Sequence, residues 1–355
     1  MPRLLEEKSE QSIEMRTVLL NKPGDFLLTE TEAPPAPLPG QAMVRVRRVG
    51  VCGTDFHAFR GDQPFFSYPR ILGHELGVEV ISVGSGESDL RAGDLCAVEP
   101  YLNCGTCVSC RRGRPNCCVY LKCLGVHIDG GMREFINVPL AKLHRSERLS
   151  LDQLALVETL GIGAHAVERA SLEPGESVLI IGAGPIGLSI IQFAQLANVR
   201  IMVVDTNQER LQFCQRFLQV DRVACAGSSA VAALKDFTSE DFPTVVFDAT
   251  GNRQSMMQAF DFVANSGRLV LVGLVLGDVS FSDPDAHRRE LTLLCSRNST
   301  PTTFDRVISL IEAGKIDTTP WITHRAPMER MIKEFPAWVD PNMKVIKAMV
   351  DMDRD

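Results

Sequence analysis

Apolar positions follow two regimes along this chain of 355 residues. Up to about Ser150 they come in short runs cut by Gly and Pro, and beyond it apolar runs alternate with stretches of helical spacing. In the first regime Arg16 to Leu28 and Gln41 to Val51 read as strands, separated by Pro34, Pro35, Pro37, Pro39 and Gly40. Val44, Val46, Val49 and Val51 favour strand because β-branched side chains pack well on a pleated surface. Gly77 to Val83, Leu95 to Val98 and Met132 to Val138 continue the series, with turns at Gly84 to Gly86, Arg91 to Asp94 and Leu124 to Gly131. Many short strands with Gly and Pro turns predict a β-rich, barrel-like first domain.

In the second regime Ser177 to Ile181 is a continuous apolar run, as expected of a strand buried on both faces. It leads into Gly182-Ala183-Gly184-Pro185-Ile186-Gly187, after which Ile186, Ile190, Phe193 and Ala197 recur at helical spacing. A second run, Ile201 to Val204, ends in Asp205. Strand, G-x-G-x-x-G turn, helix, strand and terminal acid in that order form a dinucleotide-binding unit. Gly182 permits the tight turn, Gly184 lets the backbone approach a pyrophosphate, and Gly187 lets the helix pack on the strand. The helix start offers free N–H donors to the phosphates. Asp205 suits a ribose 2′-OH and repels a 2′-phosphate, which favours NAD over NADP, and Arg210 is the one nearby feature that softens this preference. Val223 to Ala226, Val245 to Asp248, Arg268 to Val272 and Leu291 to Cys295 read as further strands, with a helix at Ser255 to Ala264, and imply a parallel doubly wound sheet. A helix at Phe304 to Ala313 and a strand at Val345 to Val350 are expected to return to the first domain.

Composition narrows the class. The length favours two domains. A formal net charge of -7 argues against nucleic acid or an anionic membrane as partner. No apolar run is long enough to span a bilayer, and Met1 to Met15 has no apolar core of a secretory signal. Eleven cysteines at metal-ligand spacings, with no such signal, fit a reducing cytoplasm better than a disulfide framework.

The chemistry concentrates between Val51 and Gly77. Cys52 lies in Cys52-Gly53-Thr54-Asp55-Phe56-His57, and His74 with Glu75 in Gly73-His74-Glu75. Thiolate, imidazole and carboxylate suit Zn²⁺, and three protein ligands with a fourth position labile is the pattern of a catalytic site. Taken alone, Cys52 and His74 also fit a buried cysteine and a satisfied core histidine. Cys104, Cys107, Cys110 and Cys118 form a C-x₂-C-x₂-C run with a fourth thiolate, suited to a closed structural zinc site. Such a run also suits an iron–sulfur centre, and Cys117 competes with Cys118 as its last ligand. Glu158, among small and apolar residues, needs a partner such as a metal; the bland reading is a helix-start glutamate.

Together these residues resemble the zinc-dependent medium-chain dehydrogenase/reductase family of the alcohol dehydrogenase type, over nearly the whole chain from about Arg16. The resemblance implies an α/β architecture: a GroES-like β-barrel catalytic domain plus a Rossmann domain. It divides the chain into an extension (1–14), a catalytic domain (15–157, completed by 297–355) and an NAD-binding domain (158–296). It implies two zinc ions per chain. Cys52, His74 and a carboxylate, Glu75 or Glu158, would hold the catalytic ion, and the four lobe cysteines the structural one. It further implies a proton relay through Thr54 and His57, Asp55 orienting His74, and a homodimer or homotetramer. Glu158 stands where polyol and threonine dehydrogenases have glutamate, followed here by Thr159 in place of their usual proline. Pro69 to Glu75, Leu124 to Gly131, Ser296 to Asn298 and Ile322 to Arg325 are most similar to sugar-acid and polyol enzymes of the L-galactonate oxidoreductase type. Oxidation of a polyol or sugar-acid secondary alcohol to the ketone is therefore the expected activity. Threonine 3-dehydrogenation is the alternative, and a non-catalytic NAD- and zinc-binding protein is a remote third. His127, Arg297 and Asn298 are candidate substrate contacts, Arg297 for a carboxylate.

Overall fold

The computed structural model describes residues 14–63 and 66–353. In chain order it begins with β1 (Glu14–Lys22), β2 (Asp25–Glu32), β3 (Gln41–Val51), α1 (Gly53–Arg60), β4 (Glu75–Val83), β5 (Leu95–Val98) and β6 (Tyr101–Leu102). Then come α2 (Val108–Arg111), β7 (Lys122–Cys123), β8 (Phe135–Pro139), β9 (Leu143–Arg145) and α3 (Leu151–Ala170). The second half runs β10 (Ser177–Ile181), α4 (Pro185–Gln195), β11 (Arg200–Asp205), α5 (Gln208–Phe217), β12 (Arg222–Cys225), α6 (Ser228–Thr238) and β13 (Val245–Asp248). It closes with α7 (Arg253–Gln258), β14 (Arg268–Leu271), α8 (Asp283–Arg288), β15 (Thr292–Cys295), α9 (Pro301–Glu312), β16 (Ile322–Pro327), α10 (Met328–Trp338) and β17 (Lys347–Asp351).

Two large sheets carry the molecule. The first has seven strands, ordered β16-β17-β3-β4-β5-β9 with β8 also on β3. Its pairings are antiparallel except β16 with β17. The second is a fully parallel six-stranded sheet, ordered β12-β11-β10-β13-β14-β15. In β10, Val178 and Ile180 enter one apolar core while Leu179 and Ile181 enter the core on the opposite face. That is why the run carries no polar alternation, and each such side chain contributes about 1.5–3 kcal/mol by burial.

Helix α3 joins the halves. Ser150 and Gln153 cap it reciprocally, the Gln153 amide donating to Ser150 Oγ at 3.2 Å and the Ser150 amide to Gln153 Oε1 at 3.0 Å. Apolar almost all round, it packs on β4 and β5 of the first sheet and on α4 and α9 of the second unit. The expected division between residues 157 and 158 thus falls inside a continuous helix. Near the C-terminal end of the described residues β17 pairs antiparallel with β3, Ala348 opposite Val51. Arg48 ties it down through Asp351 (2.9 Å) and Asp353 (2.6 Å), and through Asp152 of α3 (3.1 Å).

Three sequence expectations need correction. Arg16 to Leu28 is not one strand, because Pro23 and Gly24 turn it into the β1–β2 hairpin. The helix expected at Ser255 to Ala264 is α7 followed by a 3₁₀ turn at Ala259–Phe262. The strand expected from Met132 begins at Phe135. Of the 1–14 extension, only Glu14 lies within the described residues, as the first residue of β1.

Candidate active site and cofactor cleft

Cys52 caps the N-terminus of α1, and its amide donates to Asp55 Oδ2 at 2.9 Å. His74 and Glu75 stand where the chain enters β4, directly after Gly73 in the left-handed region at φ 96°. Antiparallel pairing sets Glu75 opposite Gly50 of β3. A Cβ on Gly50 would lie 2.1 Å from Glu75 Oε2, so only glycine leaves room for this carboxylate. The ligand atoms of Cys52, His74 and Glu75 all lie within 4.8 Å of one another. Two ligands of one zinc, each about 2.0–2.3 Å away, stand at most about 4.6 Å apart. The trio is therefore close to the span of a single ion.

Burial sharpens the fit. His74 Nδ1 and Asp55 Oδ1 are buried without a hydrogen bond and stand 3.7 Å apart. Burial opposes protonation of His74, but Asp55, Cys52 and Glu158 more than offset it and hold the imidazole well above its ordinary pKa. A soft and hard donor set with surplus negative charge, its His74 and Glu75 buried and Cys52 half-buried, suits a zinc ion.

Glu158 lies about two turns into α3, which removes the helix-start reading, and it is outside the converging trio. Tyr101 donates its hydroxyl to Glu158 Oε1. Burial raises the Glu158 pKa, and Glu75 adds to that while His74 opposes it. Of the relay residues, Thr54 is half-buried on α1, and His57, more than half exposed, pairs through Nδ1 with Asp62 at 3.0 Å.

In the cysteine lobe the sulfurs of Cys104, Cys107, Cys110 and Cys118 come together. Cys104–Cys118 and Cys107–Cys110 are 3.5 Å apart and Cys107–Cys118 3.9 Å. A tetrahedral S₄ zinc site with 2.3 Å bonds has sulfurs about 3.8 Å apart. Backbone amides of Thr106 and Cys107 lower the Cys104 pKa to about 6, favouring the thiolate that a metal needs. Cys117 is exposed and outside the cluster.

Gly182 to Gly187 carry the chain from β10 into α4. Gly182 has φ 99°, Gly184 is the N-cap of α4, and Pro185 with Ile186 opens its first turn. A Cβ on Gly187 would stand 1.8 Å from the Gly182 carbonyl oxygen. Asp205 accepts from the Ala183 amide at 2.6 Å and the Asn207 amide at 2.7 Å, which fixes its carboxylate beside the turn. Arg210 Nη1 lies 3.7 Å from where a Cβ on Gly184 would be, so its guanidinium stands beside the N-terminus of α4.

His127 accepts from the Cys123 amide at 3.1 Å, and burial together with Arg297 and Arg70 lowers its pKa. The Arg297 carbonyl accepts from Asn116 at 2.9 Å, and Asn298 is in the left-handed region at φ 51°. Two buried residues of the site escaped the sequence reading. Tyr101 is one; Lys347, which grips Glu75, is the other. A lysine inside the apolar run Val345 to Val350 was the available signal, since a buried ammonium demands a partner.

Family comparisons agree with this architecture. The alcohol dehydrogenase GroES-like domain matches residues 38–148, and the zinc-binding dehydrogenase domain residues 185–313. L-galactonate-5-dehydrogenase of Escherichia coli K12 is 37% identical over 95% of this chain and 98% of its own length. L-threonine 3-dehydrogenase of Saccharopolyspora erythraea is 32% identical over 90% and 95%. The rspB alcohol dehydrogenase of E. coli CFT073, solved with NADH, superposes with a TM-score of 0.89 at 28% identity, covering 96% of this chain and 99% of that one. The chain belongs to the zinc-type alcohol dehydrogenases, medium-chain enzymes that act on CH–OH groups.

Proposed function

We propose that this enzyme oxidises a secondary alcohol of a sugar acid or polyol to the ketone, reversibly, with NAD. The observation that carries the reading is the convergence of half-buried Cys52 with buried His74 and Glu75, together with the 37% identity to an L-galactonate-5-dehydrogenase over nearly the full chain. Zinc would supply Lewis acidity toward the substrate oxygen and NAD the hydride acceptor.

The chain's own residues divide the remaining work. Cys52, His74 and one carboxylate, Glu75 or Glu158, hold the catalytic ion, and Asp55 orients His74. Cys104, Cys107, Cys110 and Cys118 hold the second, structural ion. Thr54 and His57, a turn apart on α1, offer the alcohol proton a route to solvent, His57 being the exposed end of that route. Gly182 to Gly187 bind the pyrophosphate and Asp205 the adenosine ribose, with Arg210 beside the N-terminus of α4. The loops bearing His127, Arg297 and Asn298 bind the hydroxylated or carboxylated substrate. Eleven cysteines, all free, fit a reducing compartment. Among the described residues β15 is an edge strand of its sheet, and Leu293 upon it is exposed together with Leu274 and Leu276, which supports self-association at this edge. Light scattering should then report more than one chain per particle.

The substrate class is tested by NADH formation against aldonates, neutral polyols and L-threonine. Turnover of an aldonate or polyol with a kcat/KM at least about tenfold above threonine is expected, a difference of about 1.4 kcal/mol in transition-state binding. Threonine as the best substrate would overturn the assignment.

A further inference from the structure

Two buried groups beside the zinc-type trio have no part in the reaction as drawn. Lys347 comes from β17 and Thr159 from α3, each 1% exposed. Lys347 Nζ donates to both Glu75 oxygens, at 2.6 and 2.7 Å, to the Val51 carbonyl at 3.2 Å and to Thr159 Oγ1 at 3.1 Å. An ammonium has three N–H bonds, so it is shared among four acceptors whose positions fix it closely. Thr159 accepts from Lys347 and so ties the ammonium that grips Glu75 to α3. Glu75 is thus gripped on both oxygens by an ammonium that Thr159 helps to anchor, while its carboxylate stays within 4.8 Å of the Cys52 and His74 ligand atoms. A carboxylate whose lone pairs and charge are already engaged this way binds a cation less firmly than a free one.

We infer that Thr159 is a positioning residue: its hydroxyl holds Lys347 against Glu75 and so keeps Glu75 a detachable ligand, leaving a metal position for the substrate oxygen. The inference rests on the zinc reading of the trio. It concerns a residue that touches neither metal nor substrate, and it reaches Glu75 chiefly through Lys347. Thr159 sits next to Glu158 in sequence, yet its hydroxyl serves the other carboxylate.

Cobalt(II) placed at the Cys52 site reads this directly, because its visible absorption weakens as coordination rises above four. Thr159→Val keeps the branched shape and removes the hydroxyl, and Thr159→Ser restores the hydroxyl alone. Thr159→Val should weaken the cobalt absorption and slow metal loss to a chelator about fivefold, the worth of one hydrogen bond inside a protein. It should lower kcat while leaving the KM for NAD unchanged. Thr159→Ser should recover the wild-type spectrum, and adding Glu75→Gln to Thr159→Val should recover the strong absorption. A Thr159→Val protein with wild-type spectrum and metal-loss rate would overturn the inference, whether or not its melting temperature falls. Wild-type protein taking up cobalt only at the cysteine lobe would overturn the zinc reading of the trio, and this inference with it.

Discussion

Replacing Cys52 by Ala is expected to leave one zinc per chain instead of two and to cut alcohol oxidation by on the order of 10³-fold or more. Cys52 is the only thiolate in the converging trio, and the lobe cysteines are a separate cluster. Loss of the thiolate takes away the softest donor, and His74 and Glu75 cannot close a site by themselves. Lewis-acid stabilisation of the developing alkoxide is worth several kcal/mol, and about 4 kcal/mol corresponds to that factor. Metal analysis and kcat/KM on the same preparation decide the matter. A variant that still binds two zinc ions, or keeps activity within about tenfold, would show that the trio is not the catalytic metal centre.

The second large effect is on stability. Replacing Lys347 by Met in metal-free protein should cost about 3–5 kcal/mol at pH 7, because Glu75 would be left buried without its counter-charge. Both side chains are buried at 1% exposure or less. For Glu75, burial pushes the pKa up, and Lys347 and His74 more than reverse it, so the folded value is lowered. Its ionised form therefore stabilises the fold above about pH 4.3, and that contribution is lost as pH falls through the folded value. For Lys347, burial lowers the pKa but Glu75 and Cys52 raise it further, so its contribution is full below about pH 10.4 and lost as pH rises through the folded value. The gap between wild type and variant should thus be widest from about pH 5 to 10 and should shrink on acidification. Denaturant midpoints at pH 7 and pH 4 measure it. A gap that widens at the lower pH would contradict the pairing.

Much of this molecule is legible in the sequence because its chemistry is local. Gly182 to Gly187 and Asp205 lie within one strand–helix–strand unit, and the structure fixes Asp205 with the Ala183 amide, as close as that spacing implies. Cys104 to Cys118 form a loop whose ligand spacing is itself the motif. Cys52 and His74 are only one helix and a loop apart. What the sequence hides is long-range. Lys347 reaches Glu75 across 272 positions, because β17 lies beside β3 and β3 beside β4. Tyr101 reaches Glu158 from the short strand β6, and nothing in its neighbourhood in the chain marks it out. The competition between Glu75 and Glu158 is likewise invisible in one dimension, since it depends on which donor grips each carboxylate. The β1–β2 break, by contrast, has a local signal in the chain, the polar run Asn21-Lys22-Pro23-Gly24-Asp25 between the apolar runs Val18 to Leu20 and Phe26 to Leu28.

The most direct measurement is NADH formation from an aldonate or polyol before metal removal, after chelation, and after zinc is returned. Activity should vanish with the loss of one zinc per chain and return with its restoration. Undiminished NAD reduction by protein verified to carry no zinc would contradict a zinc-dependent alcohol dehydrogenase built on Cys52, His74 and Glu75.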